Sequence, residues 1–212
     1  MGNYGALALF GSGETSSQGR KIHDYLMSNL TSAPPVRVAL LETPAGFQPN
    51  VDFVYSKIAD FFEKSLQNFR PQVEYIRAWK GGAVQDPDSH DVVKALLDAQ
   101  YIFSGPGSPT YAARNLRGTR ALRYTIGRYK EGASIVLSSA AALAAGRYAM
   151  RVYEIFKAGD DLGRDPGLSL LSELRLGVDP VIVPHWNNKE GGDGLDTNRC
   201  YVGKDRFAQL LE

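Results

Sequence analysis

Short apolar runs alternate with amphipathic segments along most of this chain. Apolar runs of strand length predict five β-strands, at residues 6–10, 36–41, 73–78, 101–103 and 134–137. Apolar positions at helical spacing predict helices at residues 18–30, 51–68, 91–98 and, as one or two helices broken near Gly118, 111–131. This alternation is typical of an α/β fold, here a three-layer sandwich with a mainly parallel central sheet.

The pattern weakens after residue 147. Residues 152–156 and 181–183 are predicted as further strands, residues 168–174 as a short helix, and residues 207–211 as the start of another helix. In parallel sheets, functional groups collect at the carboxyl ends of the strands. We therefore expect four segments that follow predicted strands to share one edge: residues 11–15, residues 104–109, Ser138-Ser139 and His185.

Ser139 lies where a buried strand meets an alanine-rich helix. A serine on such a sharp turn can be held exposed as a nucleophile, beside a helix N-terminus that favours negative charge. The usual G-x-S-x-G spacing is absent, because Leu137 and Ala141 occupy the glycine positions. An ordinary strand-to-helix turn capped by a serine is the competing interpretation, and the segment alone does not exclude it.

A serine nucleophile needs a base and donors for an oxyanion. Of the three histidines, His23 and His90 are predicted at the surface, whereas His185 follows a predicted strand and is the candidate base. The N–H of Ala140 is one candidate oxyanion donor. Glycines would let the loop at residues 104–109 approach a substrate. Gly105 and Gly107 are therefore included as oxyanion or substrate-binding residues, Gly107 as the better donor, because Pro106 has no N–H.

Composition narrows the partners. The chain has 212 residues, 43% hydrophobic and 22% charged, with a net charge of +1. It shows neither the basic stripe expected of a nucleic-acid-binding protein nor an apolar run long enough to span a bilayer. One cysteine, Cys200, and an N-terminus unlike a signal peptide predict a cytoplasmic protein. Cys200 lies among polar residues and is not favoured as a nucleophile.

No cofactor or metal is expected. The turn Gly11-Ser12-Gly13-Glu14-Thr15 lacks the third glycine of a dinucleotide fingerprint, since Ser16 stands in its place. A P-loop motif does not occur, and the acidic stretch at residues 190–196 lacks the spacing of a calcium loop.

Four segments together resemble the peptidase E and cyanophycinase group, a branch of the class I glutamine amidotransferase-like fold. They are ALALFGSGE, YIFSGPGSPTYAARNLRGTRAL, IVLSSAAALAAG and VIVPHWNN. The resemblance implies a flavodoxin-like arrangement, a serine-type peptidase or amidohydrolase, Ser139 as nucleophile and His185 as base. It also implies that residues 1–212 form a single α/β hydrolytic domain, shortened at its C-terminus relative to the family.

The same resemblance leaves the third member of a triad open. In cyanophycinases an acid follows the histidine in a late strand that is missing here, and in peptidase E the acid lies between serine and histidine, where Glu154 is the match. Two functions follow: a serine hydrolase acting on a small peptide or amide, or a degenerate relative that binds a ligand or partner without chemistry. Amide transfer from glutamine is disfavoured, because those enzymes use a cysteine at the elbow. An exposed sheet edge would also permit a homodimer.

Overall fold

The computed structural model describes residues 4–212. Its centre is a five-stranded parallel sheet in the order β1-β5-β4-β2-β3. The strands are β1 Leu7–Phe10, β2 Arg37–Leu41, β3 Gln72–Ile76, β4 Tyr101–Ser104 and β5 Ser134–Ser138. All five were predicted from their apolar runs, and the α/β sandwich is confirmed.

Helices connect the strands and cover the sheet. They are α1 Ser17–Ser28, α2 Val51–Ser65, α3 His90–Val93, α4 Pro109–Leu116, α5 Arg120–Lys130, α6 Ala140–Ala144, α7 Leu170–Glu173 and α8 Lys204–Gln209. Short 3₁₀ turns occur at Thr43–Ala45, Gln67–Phe69 and Lys94–Asp98. The break near Gly118 separates α4 from α5, as the sequence predicted. None of the helices within residues 4–212 has both the length and the apolar character needed to cross a bilayer.

The three central strands, β5, β4 and β2, are buried on both faces of the sheet, which explains their apolar runs. Along β2, Val38 and Leu40 pack in the layer that contains α1 and α2. Ala39 and Leu41 point to the opposite layer, which contains α5. Successive side chains of a strand face opposite sides of a sheet, so each of these strands contributes to two cores.

The strand register aligns three strand ends. Phe10 of β1 lies beside Ser138 of β5, and Ser104 of β4 lies beside Leu137. The residues that follow these strands therefore emerge next to one another at the carboxyl edge of the sheet. This edge contains the candidate site.

Two predicted strands are absent. Residues 181–183 have no ladder partner: His185 N–H donates to the Gly11 carbonyl at 3.2 Å and Arg147 N–H donates to the Pro180 carbonyl at 2.9 Å, but no regular ladder forms. Pro180 and Pro184 bracket this run and supply no N–H for a ladder. Elsewhere in this part of the chain the structure has an antiparallel pair that the sequence did not reveal, β6 Tyr148–Met150 with β7 Arg164–Pro166.

The second absent strand, residues 152–156, is replaced by a π-helical turn, Glu154–Ala158. The Glu154 side chain accepts a hydrogen bond from the Val152 N–H at 3.3 Å. A local bond of this kind satisfies a donor that a strand would have offered to a neighbour. The turn ends at Gly159, which adopts a left-handed conformation.

His23 was predicted at the surface and is instead completely buried, at 0% exposure. The buried face of α1 comprises Gly19, His23, Leu26 and Met27. The His23 ring stacks on Phe10, and both of its nitrogens are hydrogen-bonded. Nε2–H donates to the Glu14 carbonyl at 3.0 Å, and the Tyr101 hydroxyl donates to Nδ1 at 2.6 Å. The tautomer follows because a carbonyl oxygen can only accept. Apolar spacing missed this face because it treats histidine as polar.

Burial lowers the pKa of the His23 imidazole to about 4, because the charged form loses its hydration. The unfolded chain then binds a proton more readily than the folded one. His23 consequently contributes stability that is present above pH 6.5, its ordinary pKa, and that is lost as the pH falls towards 4.

We expect the free energy of unfolding of the native chain to fall by about 1.5 kcal/mol more than that of a His23→Gln variant between pH 6.5 and about pH 5. Urea denaturation at several pH values measures this difference. Other titrating groups, such as the buried Glu42, are common to both chains and cancel. His90→Gln, at an exposed histidine, is the control. Parallel curves for the native chain and His23→Gln would contradict the assignment.

Candidate active site

Ser139 adopts a strained backbone conformation between β5 and α6. Its φ of 52° and ψ of −116° are unusual for any residue other than glycine. Its N–H donates to the Phe10 carbonyl at 3.0 Å, which ties the turn to the end of β1. The side chain makes no capping hydrogen bond to α6, so this serine is not an ordinary N-cap. The geometry is that of a nucleophile elbow.

The alanine-rich helix predicted after Ser139 is present and short. It covers only Ala140–Ala144, so its dipole contributes little to the site. Leu137 and Ala141, which stand where an elbow has glycines, are both buried in one apolar cluster. The Ala141 N–H donates to the Gly105 carbonyl at 3.3 Å, which fixes the elbow against the loop after β4.

His185 lies within hydrogen-bond distance of Ser139. Ser139 Oγ and His185 Nε2 are 2.8 Å apart, although the residues are 46 positions apart in sequence. The His185 N–H donates to the Gly11 carbonyl at 3.2 Å, and φ at His185 is 49°. The elements that position the pair are thus the end of β1, through Phe10 and Gly11, and the turn after β5.

The electrostatics of His185 favour a neutral imidazole. Burial lowers its pKa below the ordinary value of 6.5, and the charges of Glu190 and Glu14 oppose that effect only in part. A neutral imidazole has a free lone pair that can accept the proton of a serine hydroxyl.

No carboxylate completes a triad among the described residues. Nδ1 of His185 has no hydrogen-bond partner there, and the Glu190 carboxylate instead accepts from the Tyr201 hydroxyl at 2.9 Å. Glu14 and Glu190 both line the cavity beside His185. Sequence reasoning did not single them out, although Glu14 follows β1 at the active edge and Glu190 is five residues after His185.

Glu154 is not placed as a third triad member. Its Oε1 atom accepts hydrogen bonds from the hydroxyls of Thr110 and Ser108, at the start of α4. Its other carboxylate oxygen accepts from the Val152 N–H. These bonds direct the carboxylate at α4 rather than at the imidazole.

The loop after β4 presents Gly107 to the cavity. Gly107 has a φ of +145°, and a Cβ added there would lie 1.9 Å from the Pro44 carbonyl oxygen. The neighbouring Ser108 N–H donates to that same carbonyl at 2.8 Å, so the loop packs closely on the Thr43–Ala45 turn. The N–H groups of Gly107 and Ala140 have no acceptor among residues 4–212.

Gly105 was predicted as an oxyanion or substrate-binding residue, but the structure places it behind the loop. Its N–H points towards the interior and lies 3.4 Å from the Tyr55 hydroxyl, and its carbonyl accepts from Ala141. An added Cβ would collide with the Phe103 ring at 2.8 Å. Gly105 therefore supports the loop from behind and does not line the cavity.

Cys200 also lies at this cavity but is buried, and burial raises the pKa of its thiol to about 12. The thiolate is the reactive form of cysteine, so this side chain is inert near neutral pH.

These residues surround one cavity of about 460 Å³. Four segments contribute to it: the turn after β1, the loop after β4, the elbow, and the region around His185 and Tyr201. A fifth segment, residues 152–157, forms an apolar side with Val152, Tyr153 and Phe156. A cavity of this size is large enough to hold a small-molecule ligand.

The fold occurs in several solved structures, two of which follow. A peptidase from an acI-B1 Actinobacterium superposes with a TM-score of 0.72 at 19% identity, over 100% of this chain and 77% of that chain. The "Putative Peptidase E Protein" of Listeria monocytogenes EGD-e superposes with a TM-score of 0.61 at 14% identity, over 98% of this chain and 88% of that chain. No protein-family model and no curated protein sequence matches the chain. The chain therefore shares its fold with these two structures, as the four resembling segments implied.

The close approach of Gly107 to Pro44 should make the stability of the protein sensitive to a side chain at position 107. Gly107→Ala should lower the free energy of unfolding by about 2–4 kcal/mol, because the new methyl group collides with a backbone carbonyl. Gly82→Ala is the matched control: Gly82 also has a positive φ but lies in open space, so only backbone strain of about 1 kcal/mol is expected. Chemical denaturation measures both, and equal losses would show that Pro44 does not constrain the loop.

Proposed function

We propose that this protein is a serine-type hydrolase of a peptide or related amide bond. The observation that carries the proposal is the 2.8 Å separation of Ser139 Oγ and His185 Nε2, at a serine held with a φ of 52°. Strained conformations of this kind persist where the surrounding structure enforces them and are concentrated at active sites. The shared fold of two peptidase-named structures is consistent with this proposal.

In the proposed mechanism, neutral His185 accepts the proton of Ser139 as Oγ attacks the substrate carbonyl carbon. The N–H groups of Ala140 and Gly107 donate to the oxyanion that develops. When the tetrahedral intermediate collapses, the C–N bond breaks and His185 gives its proton to the leaving amine. A water molecule, deprotonated by the same imidazole, then hydrolyses the acyl-enzyme and regenerates the hydroxyl.

One observation favours a second candidate function. His185 Nδ1 lacks a carboxylate partner among the described residues, and a Ser–His pair without one loses much of its catalytic power. A ligand-binding protein without turnover, built on the same cavity, remains the alternative.

Labelling by a fluorophosphonate separates the two functions. The native chain should form a covalent adduct with the probe, and Ser139→Ala should lose labelling by roughly a thousandfold or more, because the attacking oxygen is gone. Intact-mass spectrometry detects the adduct and peptide mapping locates it. Ser138→Ala is the control, since this neighbouring serine is buried in β5 and outside the cavity. An unlabelled native chain would reject the hydrolase and favour the binding protein.

The electrostatics of His185 set the pH dependence. The second-order rate constant of labelling should rise with pH to a plateau. The midpoint of this rise should lie below pH 6.5, because burial lowers the pKa of the base. Removing the nearby negative charge in Glu190→Gln should move the midpoint to lower pH, and added salt should reduce that difference. Glu63→Gln, on the exposed face of α2, is the charge-matched control. A Glu190→Gln variant whose midpoint is equal to or higher than that of the native chain would contradict the role of Glu190.

A further inference from the structure

We propose that residues 152–157 form a substrate-binding wall for an apolar or aromatic group next to the scissile bond, and that Glu154 is the positioning residue that holds this wall in place. The inference rests on the proposed hydrolase and specifies its substrate class.

The wall presents aromatic surface to the cavity. Tyr153 and Phe156 both line the cavity, and Phe156 remains 43% exposed. Phe47 extends the surface, since its ring centroid lies 5.6 Å from that of Tyr153 and 5.1 Å from that of Tyr111. Covering this exposed apolar surface with an apolar ligand group removes it from water and makes the free energy of binding more favourable.

The charges around the cavity argue against an acidic group. Its charged lining residues are Glu14, Glu190 and Lys157, which leave an excess of negative charge. An acidic side chain would be repelled by two carboxylates and attracted by one ammonium group. An uncharged aromatic ring is not repelled by the carboxylates and can pack against the apolar surface.

Glu154 connects the wall to the loop that carries Gly107. Its carboxylate accepts hydrogen bonds from Thr110 and Ser108, the latter at 3.4 Å, and both hydroxyl-bearing residues are 2% exposed. Ser108 follows Gly107 directly and caps α4. The hydrogen bond from the buried Thr110 hydroxyl to a carboxylate is charge-assisted and strong, whereas the 3.4 Å contact of Ser108 is long and adds less. The wall is therefore tied chiefly to the first turn of α4, directly after the loop.

The substrate class is tested with peptidyl diphenyl phosphonates, which phosphonylate a reactive serine. Three probes carry a phenylalanine, aspartate or lysine side chain beside the phosphorus, and intact-mass spectrometry measures the second-order rate constant of each. The phenylalanine probe should react on the order of tenfold faster than either charged probe. Phe156→Ala should lower the phenylalanine-to-aspartate rate ratio severalfold. Phe53→Ala, at an exposed ring on α2, should leave the ratio unchanged.

The positioning role is tested with a double-mutant cycle. Glu154→Ala and Thr110→Val should each lower the same rate ratio, and the double variant should lower it no further than Glu154→Ala alone, because Thr110→Val removes a contact that Glu154→Ala has already removed. Glu154→Gln should recover part of the ratio, since its amide oxygen can still accept from Thr110. A purely structural role would lower the rates of all probes alike and leave the ratio intact.

Failure of this inference is distinguishable from failure of the proposed function. A native chain that reacts with a small dialkyl fluorophosphonate but prefers the aspartate or lysine probe would overturn the substrate class and leave the hydrolase standing. A native chain that reacts with no probe would overturn both. Additive effects of Glu154→Ala and Thr110→Val would overturn the positioning role alone.

Discussion

Two successive carbonyl groups, of Phe10 and Gly11, hold Ser139 and His185 side by side. The Phe10 carbonyl accepts from the N–H of Ser139, and the Gly11 carbonyl accepts from the N–H of His185. Both acceptor residues belong to one short stretch of backbone, the last residue of β1 and the residue after it, so the same segment positions the serine and the imidazole. The contact between Oγ and Nε2 follows from this shared support, and a loss of order at the end of β1 would separate the pair.

The interior of the protein supports the same stretch. His23 is buried beneath the turn after β1 and donates to the Glu14 carbonyl, while Gly19 permits close approach of α1, since a Cβ there would lie 2.4 Å from that carbonyl oxygen. On the other side of the site, Glu154 ties the cavity wall to the loop after β4. The site is thus held by polar contacts between elements that are distant in sequence, which suits chemistry that requires fixed geometry.

Much of the sheet could be read from the sequence because its three central strands are buried on both faces. The runs at residues 36–41 and 134–137 are almost continuously apolar, and no other environment suits such short runs so well. The run at residues 181–183 is equally apolar but forms no strand, since prolines bracket it and it finds no ladder partner. His23 was wrongly predicted at the surface because its burial also depends on partners elsewhere in the chain. A buried histidine is stable only when both ring nitrogens are hydrogen-bonded, here to Tyr101 and Glu14.

The sequence by itself determined the α/β class, the five parallel strands and the edge at which Ser139 and His185 would meet, because apolar periodicity and the parallel-sheet rule are local or topological properties. Only the tertiary structure decided that Ser139 is an elbow rather than an N-cap, that Gly105 faces the interior, and that Glu154 binds α4 rather than the imidazole. Each of those outcomes depends on a hydrogen-bond partner far away in the chain. The direction of a polar side chain is set by such partners, and residue type and spacing do not encode them.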